Sequence, residues 1–431
     1  MEGSEPAVPI PYGESLSSRL IRDRTAGVPD GPVRPLSLYG LEFSLATASL
    51  DSLELVVRSV TTARIAEWFH RFPATEEVAL LSTCHRVELA LLVRFPEELD
   101  RWREVLPGSR GSWTLREGRE MVHHLFRVAA GRESLAVGEA EVRQQVRAAA
   151  SSVESRHPRP VLRELLVGAA KAADAAYPSF RSPRSIASIA AARLLELSAQ
   201  TPPRVLVVGS GTVGRQIVEG LAPHARVTVV YHQRPPDELF LRATRARAVR
   251  LDRLAEEIRG SDAVVTAAKF GNHGLRAPDL PRDRPLLLVD LGVPRNIDPD
   301  VRRLPNVRLV DLEELHGLSA GFRVSDRYDA HVEERAALFS SRLERLLLEP
   351  WIETLRRAAE EVRCSEVATA RPFLGNLDPH QEVAIERLTR RLVQRLLIAP
   401  TERIRSLPSG PEGDLPRRFA VDLLRPHSSD P

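Results

Sequence analysis

The stretch that most narrows what this chain can fold into is TPPRVLVVGSGTVGRQIVEGLAPHARVTVVYHQ, residues 201–233. It reads as an apolar strand, a glycine turn, a helix and a second apolar strand, the βαβ grammar of a parallel sheet. Inside it, GSGTVG at 209–214 satisfies GxGxxG directly after VLVV and at the opening of a helix. Gly209 permits the tight turn, Gly211 lets the backbone approach a pyrophosphate, and Gly214 lets the helix pack on the sheet. With Ser210, Thr212 and Val213 they make the candidate phosphate cradle, where a helix N-terminus offers unpaired N–H groups. A glycine turn that serves only the fold is the other reading of the motif. Further buried-strand candidates, DAVVTAA (262–268), PLLLVDLGVP (285–294) and VRLVDL (307–312), extend a Rossmann-type domain over 200–322. The second strand ends VVYHQR, with Arg234 and no acid where an NAD site holds its ribose hydroxyls. A guanidinium there suits a 2′-phosphate, so the expected cofactor is NADPH, against the plainer reading of Arg234 as a solvated surface residue.

At 431 residues the chain needs two or three domains. With 43% hydrophobic and 28% charged residues it is neither disordered throughout nor fibrous. No apolar run approaches the ~20 residues of a membrane span, and no secretory signal opens the chain. Two cysteines, Cys84 and Cys364, suit a reducing cytoplasm rather than a disulfide scaffold. A net charge of +3 does not demonstrate nucleic-acid binding. The basic residues are almost all arginine, Lys171 and Lys269 being the exceptions.

Residues 1–35 are dense in Pro, Gly and Ser and read as a flexible arm. An α+β domain is expected over 36–199. LSLYGLEFSLATA has strand spacing, a helical segment runs through Leu53–Phe72, and VALLSTCHRVELALLV (78–93) gives two apolar strands about a polar centre. Helical stretches follow at Arg119–Glu154, Pro160–Ala176 and Ile186–Ala199. Beyond Ser325 the pattern is all helical over 323–420. Ser325–Glu349 and Trp351–Ala370 are separated by Pro350, which should kink or end the first. A helix opening at Pro379 carries Ile385, Leu388, Leu392 and Leu396 on one apolar face. Residues 421–431 read as a frayed tail.

The polar centre STCHR places Cys84 between Thr83 and His85-Arg86. A cationic neighbour favours thiolate, the attacking species, although taken by itself the local pattern favours a buried structural cysteine. His124 sits beside Leu125 and Phe126, where packing alone accounts for a histidine, and Glu139 reads as a solvated helix residue. No metal-ligand spacing, GxSxG or P-loop is present.

Taken together these segments resemble the glutamyl-tRNA reductase family. LSTCHRVEL is similar to its LSTCNRxE segment, HLFRVAAGRESLAVGEAEVRQQV to its HLFRVASG stretch, and VDLGVPRNIDPDV to its VDIAVPRDIDPEV. LDPHQEVAIERLTRRLVQRLLIAPTERI matches the family's dimerisation helices. The resemblance implies an N-terminal catalytic domain, an NADPH domain, and a helical dimerisation domain begun by a long spinal helix. It implies that Cys84 takes the glutamyl group from tRNA as a thioester, which NADPH reduces to glutamate-1-semialdehyde, opening tetrapyrrole synthesis. His124 then falls on the active-site histidine. Arg86 falls on the arginine that pairs with the substrate carboxylate. Thr83, His85, Ser134, Glu139, Ala140, Glu141 and Gln145 fall on other substrate positions. Glutamyl-tRNA, a second copy of the chain and a glutamate-1-semialdehyde aminomutase are the implied partners.

The chain departs from the family's pattern at several places. Glu42-Phe43-Ser44-Leu45-Ala46 replaces NHKTA, His85 replaces Asn, Ala140-Glu141 replaces Pro-Gln, and Ala267-Ala268 stand where hydroxyl residues are usual. A substrate carboxylate would be repelled by Glu42 or Glu141 if either faced the pocket. Two rivals therefore stand beside glutamyl-tRNA reduction: reduction of another aminoacyl-tRNA or acyl thioester by a divergent paralogue, and non-catalytic binding of charged tRNA.

Overall fold

The computed structural model describes residues 36–108, 110–134, 140–176, 185–268, 274–318 and 326–407. The expected arm at 1–35, the candidate Glu139 and the tail at 421–431 lie outside them.

The first sheet contains β1 (Ser37–Ser44), β2 (Thr75–Ser82), β3 (Arg86–Val93), β4 (Thr114–Glu117) and β5 (Glu154–Ser155), in the order β4-β1-β3-β2-β5. Every pairing is antiparallel. Side chains alternate between faces along each strand. Leu41, Phe43, Leu89 and Leu91 join Trp68 and Trp102 in a core with α1 (Leu50–Ser59), α2 (Thr62–Arg71) and α3 (Glu97–Val105). Leu38, Ala90 and Leu92 face the other way, towards α4 (Gly118–Ala129), α5 (Ala140–Ser151) and α6 (Val161–Ala176).

Two long helices expected here are each divided. The Leu53–Phe72 segment breaks at Val60–Thr61, because the hydroxyls of Ser49 and Thr61 accept from Ser52 N and Arg64 N and cap separate helices. The Arg119–Glu154 stretch stops at Ala129. Gly131, at φ 70°, turns the chain out of α4 while its N–H bonds Val128 O, and Ser134 falls in that turn rather than on a helix.

After α7 (Ile186–Leu197) comes a six-stranded, wholly parallel sheet. Its elements are β6 (Arg204–Val208), α8 (Thr212–Leu221), β7 (Arg226–Tyr231), α9 (Glu238–Thr244), β8 (Arg247–Arg250), α10 (Leu254–Gly260), β9 (Ala263–Thr266), β10 (Leu286–Asp290), β11 (Val307–Val310) and α11 (Leu312–Leu318). The order β11-β10-β9-β6-β7-β8 is the doubly wound arrangement. Its binding crevice lies outside the carboxyl ends of the neighbouring strands β6 and β9.

The rest is helical: α12 (Asp326–Ala370), α13 (Pro379–Leu396) and α14 (Ile398–Ser406). Pro350 does not end a helix, since α12 runs unbroken for 45 residues. Proline in a helix interior costs about 3 kcal/mol. Trp351, Ile352 and Leu355 are fully buried just beyond it, each contributing about 1.5–3 kcal/mol. Leu388, Leu392 and Leu396 of the expected apolar face on α13 remain exposed within one chain.

Candidate active site

Cys84 occupies the three-residue connection between β2 and β3, at a hairpin tip fixed by its own residues. The Thr83 hydroxyl accepts from the backbone N–H of His85 (3.1 Å) and Arg86 (3.2 Å), and Thr83 N donates to Arg86 O (2.9 Å). Cys84 is part-buried, and with Leu45, Ala267 and Val293 it packs against the apolar core of the parallel sheet. The tip of the first sheet thus meets the crevice side of the second.

His85 Nδ1 lies 2.9 Å from Cys84 Sγ, and its ring centroid lies 6.4 Å from that of His316 on α11. Burial first, then the charges of Arg86 and His316, push the His85 imidazole down to about 3. At neutral pH it is therefore uncharged and stands beside the thiol as a hydrogen-bond partner. The unfolded chain protonates this histidine near pH 6.5 while the folded chain resists. Its contribution to stability is thus present above 6.5 and lost as pH falls towards 3, at about 1.4 kcal/mol per unit. His157, raised chiefly by its hydrogen bond to Glu76, contributes steadily within that window and loses its contribution only as pH rises above 6.5. The urea midpoint should drop between pH 6.5 and 5, and His85→Asn should remove most of that slope; an unaltered slope would refute the assignment.

The strand alternation that sends Leu89 and Leu91 one way sends Glu42, Arg86 and Glu88 the other. Register sets Glu42 opposite Glu88 and Ser44 opposite Arg86. Like charges directly opposed are destabilising unless compensated, and three groups compensate. Arg86 Nη1 lies 3.2 Å from Glu42 Oε1, Arg116 Nη1 2.5 Å from Glu42 Oε2, and His124 Nε2 3.0 Å from Glu88 Oε1 and 3.7 Å from Glu42 Oε2. Arg86 Nη2 also donates to the carbonyl of Glu133, next to Ser134. Burial works to raise Glu88, but His124, Arg86 and Arg116 outweigh it and hold the carboxyl below its ordinary value. α4 can bring His124 so close because Gly40 has no Cβ, whose place the Met121 sulfur takes.

In the parallel sheet, Gly209 has φ 122°, and a Cβ there would stand 2.7 Å from Ala267 O. A Cβ on Gly214 would overlap the Gly209 carbonyl. Gly211 has open space where its Cβ would be, and it caps α8 without any side-chain acceptor. Open space, a close-packed turn and uncapped N–H groups at Thr212 and Val213 fit a pyrophosphate. Ser210 Oγ donates to Arg234 O (3.3 Å), so the expected arginine follows directly beside the loop, its side chain exposed.

The substrate candidates divide into separate groups. Thr83, His85 and Arg86 accompany Cys84, while Glu141 Oε1 accepts from Gln216 Nε2 of α8 at 2.9 Å, joining α5 to the nucleotide helix. Gln145 lies one turn further along α5 with a buried amide oxygen, and Ala140 opens that helix. Two features escaped sequence reasoning. Arg295 is buried and pairs with Glu54 (Nε–Oε1 2.9 Å) and Asp51 of α1, tying the loop after β10 to the first sheet's helices. Asp290 shapes that loop by accepting from Thr266 Oγ1, Gly292 N, Asn296 Nδ2 and Ile297 N, while burial raises its carboxyl. The quoted VDLGVPRNIDPDV segment holds both residues, but nothing in it names Glu54 as a partner.

Among the described residues no group of three or more His, Cys, Asp or Glu is placed to hold a metal ion. Nor is any helix of these residues long and apolar enough to cross a membrane.

Residues 41–178 match the model of the glutamyl-tRNAGlu reductase N-terminal domain, 190–318 that of shikimate/quinate 5-dehydrogenase, and 327–424 that of the glutamyl-tRNAGlu reductase dimerisation domain. The glutamyl-tRNA reductase of Kineococcus radiotolerans is 32% identical over 408 residues, covering 88% of this chain and 91% of that one. The chain belongs to the glutamyl-tRNA reductase family. The Rubrobacter xylanophilus glutamyl-tRNA reductase is 31% identical over 359 residues, 77% of this chain and 82% of the relative. The solved glutamyl-tRNA reductase from Methanopyrus kandleri shares the fold, with a TM-score of 0.50 and 24% identity over 90% of this chain and 98% of that one. The dehydrogenase-type domain over 190–318 indicates that this chain binds a pyridine nucleotide.

Proposed function

We propose that this chain reduces the glutamyl group of glutamyl-tRNA to glutamate-1-semialdehyde, the first step of tetrapyrrole synthesis, with Cys84 as nucleophile. The observation that carries this reading is the placement of Cys84, against a neutral imidazole and against the core of the nucleotide-type sheet. Sγ attacks the ester carbonyl beside the neutral His85 imidazole, and the thiol proton passes to solvent. The C–O bond to the terminal ribose breaks, and tRNA leaves with a proton on its hydroxyl. The acyl group remains on sulfur as a thioester, which splits one hard reduction into capture and transfer. Gly209–Gly214 would hold the pyrophosphate of a reduced pyridine nucleotide, which would supply a hydride to the thioester carbon; the C–S bond then breaks to leave the aldehyde, and sulfur takes a proton from solvent to return as the thiol. Thr83 fixes the hairpin tip, and Glu141 with Gln216 holds α5 to α8.

Of the two nucleotides, NADPH is the one that Arg234 favours. Arg234→Ala should weaken NADPH binding at least about tenfold more than NADH, read by fluorescence titration. Equal losses would remove Arg234 from the site. We further assign 36–199, 200–322 and 323–420 as the catalytic, nucleotide and helical domains. The exposed Leu388, Leu392 and Leu396 supply the contact of a homodimer. An aminomutase that consumes glutamate-1-semialdehyde is the partner enzyme its reactive aldehyde calls for, and the cytoplasm is its expected setting.

A further inference from the structure

The buried cation two residues from Cys84 already has a carboxylate against one arm and a carbonyl against the other. Arg86 is 5% exposed; one arm of its guanidinium faces Glu42 and the other donates to the Glu133 carbonyl. Glu42 is itself held by Arg116, so it is anchored from a second strand. Two carboxylates, Glu42 and Glu88, stand against two guanidinium groups and one imidazole, and the acidic and arginine charges balance without any ligand. An incoming carboxylate seeking the bidentate grip that makes arginine selective meets Glu42 on one arm and the Glu133 carbonyl on the other. It must displace Glu42 from Arg86 or lie beside two like charges in a low-dielectric setting. A neutral amide of the same shape meets neither penalty, because its NH2 can donate to Glu42.

We propose that Glu42 is the specificity-determining residue of the aminoacyl site, occupying the guanidinium that a substrate's side-chain carboxylate would take. Glutamate then enters only by exchange of one carboxylate for another, and the site discriminates weakly between glutamate and its uncharged amide counterpart. This rests on the reading of Cys84 as the acyl acceptor in the preceding subsection. It concerns which side chain the acceptor's neighbours admit.

The test is a ratio of affinities rather than a rate. Adenosine 3′-amides of glutamate and of glutamine, which keep the aminoacyl group but replace the labile ester, are titrated against the full-length protein. The wild type should prefer the glutamate compound by no more than about threefold. Glu42→Gln should raise that preference at least about tenfold, and Glu42→Asp, which keeps the charge, should leave it near the wild-type ratio. Glu42→Gln leaves Arg86 and Arg116 with one full partner, so the double variant Glu42→Gln/Arg116→Met, which restores the balance, reads the same ratio if the single variant does not fold. An unchanged ratio in a folded charge-removing variant overturns the proposal, and so does failure of the wild type to bind either compound. Binding requires no chemistry. Absence of aldehyde from glutamyl-tRNA, with the ratio shifting as expected, would sink the reductase reading and leave the role of Glu42 standing.

Discussion

Cys84→Ser, incubated with glutamyl-tRNA labelled in the amino acid and without nucleotide, is expected to carry no label through acid precipitation and gel filtration. The wild type should retain it as a thioester sensitive to hydroxylamine. Serine is nearly isosteric and keeps the hairpin, since the hydrogen bonds that hold the turn come from Thr83 and the backbone. What it lacks is an ionisable, polarizable nucleophile, and a hydroxyl beside a weakly basic imidazole does not replace it. Aldehyde formation should fall by about 10³-fold or more, while tRNA and nucleotide affinities stay within about twofold. Label retained by the serine variant would place the acyl acceptor elsewhere. The exposed Cys364, alongside Arg363 and Glu360 on α12, is the other thiol available, and Cys364→Ser should change nothing.

Arg295→Leu should have the largest effect on stability. The arginine side chain and Glu54 are each 8% exposed, and the Arg295 backbone N–H reaches the same carboxylate. Removing one partner of a buried ion pair leaves the other uncompensated, at a cost of about 3–5 kcal/mol. The loss falls on the junction between the first sheet's helices and the loop after β10. Urea unfolding should therefore broaden or split as the two sheets come to unfold separately. Glu54→Leu in the same background should restore part of the loss, since the stranded charge is then gone. A single sharp transition with the wild-type midpoint would show that Arg295 does not join the two parts. Aldehyde formation is expected to fall with the docking, because Cys84 packs on the same sheet that the Arg295 loop extends.

Most of the fold can be read from local pattern, because period and punctuation write it there. The βαβ unit about GSGTVG, the paired strands around STCHR and the helical C-terminal region each declare themselves in runs of ten to thirty residues. Helix ends are less legible. Thr61 is a capping residue by type, yet the apolar period runs across it, and Pro350 sits inside a helix that burial on each side sustains. The candidate site divides in the same way. Thr83, Cys84, His85 and Arg86 are neighbours in sequence and stay together in space. Glu42 drew notice as a departure from a family pattern, but only the register of β1 on β3 and β4 shows that it caps Arg86 and Arg116. Arg295 and Glu54 are 241 positions apart, and no local rule joins them.

The 45-residue α12 is shared by two apolar environments. Tyr328, Val332, Ala336 and Leu343 belong to the core beneath the first sheet, and Trp351, Ile352 and Leu355 are buried further along. A helix about 68 Å long that is seated near its start and again past its midpoint behaves as a screw thread. Adding or deleting one residue between the two grips would swivel one set of apolar side chains about 100° against the other and shift it by about 1.5 Å. Only changes close to whole turns would keep both sets seated, so the spacing between Leu343 and Trp351 acts as a gauge length for everything built on either end.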